Sequence, residues 1–124
     1  MPVFTRVREG ILVLTVDGDY TSAELRRVAF RAFESDEVPA SVPILLDMSG
    51  AAGLGGKTTE EWQANGAIFG TYRDQISGIG VVASEDVHQL FTAEGAFGRE
   101  TGVEVKPCQS HAEAREWLTG AESK

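Results

Sequence analysis

The segment Ala51-Ala52-Gly53-Leu54-Gly55-Gly56-Lys57-Thr58 carries the strongest chemical pattern in the chain. Glycines free backbone amides to cradle phosphate, a lysine neutralises it, and a hydroxyl at a helix N-terminus can hold magnesium. The fit is to a relaxed phosphate loop with alanine at its first position, set between an expected strand and an expected helix. Nucleotide hydrolysis also needs a second apolar strand that ends in a magnesium-directed Asp. The later strand of that kind, Ile79 to Ala83, runs instead into Ser84. A flexible Gly-rich connection explains the same residues, and nucleotide binding through a degenerate loop stands third among the readings.

Asp47 ends an apolar strand, where parallel sheets deliver side chains to a ligand. It could equally accept the backbone amides of a Ser49-Gly50 turn. Asp17 ends the preceding strand in the same way, so the two carboxylates could meet at one sheet edge and share a metal or a proton, or simply serve two turns. His88, His111 and Cys108 are too few for zinc. A Cys-His nucleophile would further need an orienting third group, so both histidines read as helix-surface residues and Cys108 as a loop thiol. No catalytic residue, metal site or cofactor is expected.

The elements that position these residues follow from periodicity. Val3 to Arg8, the Glu9-Gly10 turn and the apolar run Ile11 to Asp17 read as a hairpin with a buried second strand. Thr21 and Glu24 form a capping box before a helix from about Ser22 to Glu34, with Leu25, Val28, Ala29, Ala32 and Phe33 on one face. Ile44 to Met48 is a short buried strand. Thr58 and Glu61 box a second helix with Trp62, Ile68, Phe69 and Tyr72 inward, interrupted by Gly66 and Gly70. Ile76 to Ala83 is a strand whose small residues admit a close helix.

Ser84, Glu85 and Asp86 should cap a third helix carrying Val87, Leu90, Phe91, Ala93 and Phe97. Val103 to Val105 is a last strand closed by Pro107, and Ser110 with Glu113 caps a fourth helix with Ala114, Trp117 and Leu118 inward. The order β-β-α-β-α-β-α-β-α predicts an α/β fold, a mixed, mostly parallel five-stranded sheet with four helices. Trp62, Tyr72, Phe91, Phe97 and Trp117 follow core spacing rather than that of a stacking platform.

At 124 residues the chain is one domain, 1–124, since two would each be too small to bury a core. No apolar run approaches the ~18 residues of a membrane span. Eleven Lys and Arg against nineteen Asp and Glu, a net charge of -8, argue against nucleic acid or an anionic membrane as a partner, with local peripheral contact not expected. A start without a charged and then apolar leader, and a single cysteine, point to the cytoplasm.

The order of elements, the strand and turn Ile44-Leu45-Leu46-Asp47-Met48-Ser49-Gly50, and the ending Ser110-His111-Ala112-Glu113-Ala114-Arg115-Glu116-Trp117-Leu118 together resemble the STAS superfamily, specifically its SpoIIAA-like branch. A terminal E-A-x-x-W-L helix after a short last strand is shared with that branch. The resemblance implies a non-enzymatic regulatory domain that binds a partner protein, or a second copy of itself, through the 49–59 loop and the following helix. It also implies a phosphoacceptor at the start of the second helix. Counting from Asp47 places that position at Lys57, so Thr58 and Thr59 are the nearest hydroxyls. On the same resemblance, an apolar or anionic small molecule held under a mobile second helix is the alternative. The expected binding residues are Asp47, Ser49, Gly53, Gly55, Gly56, Lys57, Thr58, Thr59, Trp62 and Phe69.

Overall fold

A computed structural model describes residues 3–36, 38, 41–52, 56–92 and 94–120. The strands are β1 (Val3–Arg8), β2 (Ile11–Gly18), β3 (Val42–Ala51), β4 (Ile76–Val82) and β5 (Val105–Cys108). The helices are α1 (Ser22–Phe33), α2 (Thr59–Gly70), α3 (Ala96–Thr101) and α4 (His111–Gly120). The five strands form one sheet in the order β1-β2-β3-β4-β5, antiparallel at the β1-β2 hairpin and parallel elsewhere. Among the described residues no helix is long and apolar enough to cross a membrane.

Sequential strand order has a consequence for layering. Crossovers between parallel neighbours are right-handed, and three in a row that step the same way put their helices on the same face. The core obeys this. Leu25 and Val28 of α1, Trp62 and Phe69 of α2 and Phe97 of α3 share one cluster with Leu14, Ile44, Leu46, Ile79 and Val81. Only α4 returns to the other face, where Ala114 and Leu118 pack with Ile11, Val13, Leu45, Val82 and Cys108. The strand order never reverses, so the sheet lacks the switch point where open α/β folds usually build a ligand crevice.

Both expected capping boxes form, Thr21 with Glu24 and Thr58 with Glu61, each side chain bonding the other residue's backbone amide. Gly66 and Gly70, which interrupt the apolar face of α2, are its contact with α3. A Cβ at Gly66 would lie 2.2 Å from the Phe97 carbonyl oxygen, and one at Gly70 would lie 2.4 Å from that of Glu100. The close helix expected over β4 is α4, whose Ala114 would meet a Cβ on Gly80 at 3.2 Å.

Three expectations are corrected. The third helix is divided into a 3-10 segment, Glu85–Phe91, and a short α3. The chain folds back at Gly95, where a Cβ would stand 2.2 Å from the Gln89 carbonyl, so continuous helical spacing is broken; Ala93 lies outside the described residues. The last strand begins at Val105 and includes Pro107, which an edge strand tolerates. Finally, Ser49 and Gly50 continue β3 rather than turn, because β2 keeps pairing through Asp17 with Gly50 and Gly18 with Ala51.

Candidate functional site

The carboxyl ends of β2, β3 and β4 lie along one edge of the sheet, and the chain leaves β2 and β3 there to enter α1 and α2. Tyr20 and Lys57 meet at that edge. The Lys57 ammonium sits 4.2 Å from the centre of the Tyr20 ring and donates to the Tyr20 carbonyl at 3.4 Å. Lys57 is therefore held sideways against α1's entry. The amide of Thr58 bonds the Glu61 carboxylate at 2.8 Å, and the Thr58 hydroxyl accepts from the Glu61 amide at 3.1 Å. That hydrogen bond from the Thr58 amide holds the exposed Glu61 carboxyl below the usual range, with the Lys57 charge adding to the effect.

This arrangement opposes the phosphate-loop reading on chemical grounds. The first turn already carries Glu60 and Glu61, whose charges answer the helix dipole in place of a bound anion. Gly56, Thr58, Thr59 and Glu60 are exposed at this end of α2. Gly53 and Gly55 lie outside the described residues.

Beneath the edge is a polar cluster that periodicity does not reveal. Asn65 is fully buried on α2. Its amide nitrogen donates to the Tyr20 hydroxyl at 2.8 Å, and its oxygen accepts from the Ser22 hydroxyl at 2.7 Å. Burial pushes the Tyr20 phenol well above its ordinary value, against a smaller opposing effect of the Asn65 hydrogen bond. The phenol stays neutral at physiological pH and ties α1 to α2. An Asn on the apolar side of a helix was the available signal, since buried amides must find partners.

Trp62 and Phe69 are core residues, 2% and 0% exposed, not contacts for a partner or ligand at the surface. Trp62 packs edge-on against Phe91 at 5.4 Å, Phe91 against Phe97 at 5.0 Å, and Phe69 against Phe97 at 5.8 Å. These rings occupy the layer between α2, α3 and the sheet. The alternation along β3 explains why they are separated from Asp47: Ile44, Leu46 and Met48 face them, whereas Leu45, Asp47 and Ser49 face the α4 side.

On that α4 side, Asp47 bonds His111 Nε2 at 2.6 Å and accepts both the Ser49 amide at 2.9 Å and the Ser49 hydroxyl at 2.6 Å. Partial burial would raise the Asp47 carboxyl, but the bonds from His111 and Ser49 outweigh it and the net effect is to lower it. His111 is exposed on α4, as expected of a helix-surface histidine, and it also clasps the start of α4 to β3. Ser49 and His111 both bond the Asp47 carboxylate, so the carboxylate stands between them and the order nucleophile-imidazole-carboxylate of a nucleophile relay is not formed.

Cys108 is buried at the end of β5 and is not a loop thiol; burial, followed by the Glu113 charge, raises its thiol and makes it a poor nucleophile. His88 bonds the Ala83 carbonyl at 2.7 Å. Among the described residues no group of three or more His, Cys, Asp and Glu side chains could hold a metal ion. The expected site is thus split by the sheet. Asp47 and Ser49 go to one face, and Lys57, Thr58 and Thr59 lead to the other.

Comparison with known proteins bears on the fold. The chain matches the crystal structure of an uncharacterised DUF3478-family protein from Shewanella loihica, described as having a SpoIIAA-like fold. The TM-score is 0.63 at 13% identity, over 94% of this chain and 91% of that one. No protein-family model matches, and no curated protein matches. The chain has a SpoIIAA-like fold, a mixed α/β sheet of five mostly parallel strands with four helices, as the sequence resemblance implied.

Proposed function

We propose that this chain is a non-enzymatic STAS-type regulatory domain that recognises a partner protein through the 49–59 segment and the first turn of α2. The observation that carries the reading is the exposed row Gly56, Thr58, Thr59 and Glu60 above a core whose aromatic rings leave the α2 underside occupied. Recognition then falls to the outer surface of that edge. Thr59 is the better phosphoacceptor of the two threonines, because the Thr58 oxygen is engaged as the helix cap. A phosphate on Thr59 would stand beside Glu60 and Glu61 and also near the favourable end of the helix dipole. It would alter the charge a partner meets without melting α2.

The test is affinity capture from a lysate of the source organism, with the parent chain and Thr59→Glu as baits. A protein retained by the parent and lost by the variant supports the proposal. Identical retention by both baits, or no retained protein, overturns it. Native mass spectrometry of the purified chain decides the small-molecule alternative, which requires a co-purifying mass.

A further inference from the structure

Strand β1 is an edge strand, paired with β2 on one side and, among the described residues, with no strand on the other. Such an edge offers a row of unpaired backbone donors and acceptors, which proteins usually guard with charge. Arg6 and Arg8 stand on this strand, and neither has an ion pair among the described residues. Yet the two exposed large hydrophobic residues of the described chain, Phe4 at 52% and Val7 at 37%, are on the same strand. They point to opposite faces. Phe4 shares the α4 side with Arg6, Val13 and Thr15, its neighbours in register, around a groove of about 290 Å³.

We propose that β1 pairs antiparallel with β1 of a second copy, about a two-fold axis through Thr5, to make a continuous ten-stranded sheet. The choice of register follows from chemistry. An axis normal to the sheet keeps each face continuous, so opposed residues must share a face and the axis must pass through a residue rather than between two. With the axis at Thr5, Phe4 of each copy lies opposite Arg6 of the other, Val3 opposite Val7, and Thr5 opposite Thr5. Each exposed apolar side chain gains cover, a guanidinium meets an aromatic face, and a Thr-Thr pair sits at the centre. An axis at Arg6 would oppose two arginines, which is unfavourable. An axis at Phe4 would leave Val7 uncovered by the described strand.

The interface is small, and the association is accordingly weak and concentration-dependent. It uses a surface remote in sequence from the α2 edge, and its outcome is independent of the partner proposal. Sedimentation velocity of the full chain, from about 10 µM to about 1 mM to span weak affinities, should show the 13.3 kDa mass rising toward twice that value. Phe4→Lys, at an exposed position, should remain monomeric with an unchanged circular dichroism spectrum.

Oxidation of Thr5→Cys should give a covalent dimer, because opposed Cα atoms in an antiparallel pair lie ~4.5–5.5 Å apart, within disulfide reach. Arg8→Cys, three residues from the axis in each copy and hence roughly 20 Å from its equivalent, should not cross-link. The native Cys108 is buried and does not compete. A constant monomer mass across the range overturns the proposal. So does a Phe4→Lys chain as dimeric as the parent, or cross-linking of Arg8→Cys as fast as Thr5→Cys.

Discussion

The two faces of the sheet are built to different standards. On one, three helices and a 3-10 segment bury Trp62, Phe69, Phe91 and Phe97 in mutual contact, and a buried amide links α1 to α2. On the other, a single helix packs on β3, β4 and β5 and is clasped by Asp47 and His111. The β1-β2 end of that face carries Arg6, Arg8 and Phe4 toward solvent. The difference comes from strand order. Successive crossovers of one hand cover one face fully, and the other receives whatever chain remains after the last strand. Among the described residues that segment is α4, whose ten residues are too short to reach across five strands. Among the described residues the larger core therefore belongs to the first face, and the exposed Phe4, Arg6 and Arg8 to the second.

The largest effect that would break this contrast is loss of a ring from the first face. Phe91→Ala should cost about 3–5 kcal/mol in denaturant unfolding, since the surrounding rings cannot close the cavity. Trp62 fluorescence should report it directly, Trp62 being in contact with Phe91. If the cost is under ~1 kcal/mol, that face is no better packed than the other.

A medium effect belongs to the buried amide. Asn65→Leu deprives the Tyr20 hydroxyl and the Ser22 hydroxyl of their partner and should destabilise by about 1–3 kcal/mol. Pairing Asn65→Leu with Tyr20→Phe should recover part of this loss, because the orphaned phenol is removed with its partner. Thermal melts of the two variants and the parent measure the difference.

The smallest effect is expected on the second face. The Asp47-His111 pair is partly exposed, with His111 at 44%, so solvent screening limits it, and His111→Ala should lose only about 0.2–1 kcal/mol at neutral pH. The sign with acid follows from Asp47. Its carboxyl is lowered below 3.8 in the fold, so it contributes stability above its unfolded value, and that contribution fades as pH falls through and below the native one. The gap between His111→Ala and the parent should close over the same range. A gap that widens as pH falls through and below the native Asp47 value would refute the role of Asp47. Trp117, which packs on this face, is the local probe.

Much of the fold is legible along the chain because its signals are local. The capping boxes at Thr21 and Thr58, the Glu9-Gly10 hairpin and the apolar runs of β2 and β3 each involve residues a few positions apart, and each is present. The third helix misleads because its interruption depends on Gly95 lying against Gln89 and Leu90, a contact that spacing cannot encode. The candidate site is less legible for a related reason. Asp47 and Lys57 are ten residues apart, but one strand's alternation sends Asp47 to the α4 face while the following segment leads to α2. His111, 64 residues from Asp47, becomes its partner.

By itself the sequence determined the identity of most elements, the acidic charge balance and the two threonines at the head of α2, all set by composition and near-neighbour chemistry. Only the tertiary structure decided which residues meet: that Gly66 and Gly70 are a helix contact, that Asn65 joins Tyr20 and Ser22 in a buried cluster, and that Phe4 and Val7 stand on an edge strand. Those facts depend on strand order and long-range packing. Free energy from burying surface between distant segments sets them, and no window along the chain contains both partners.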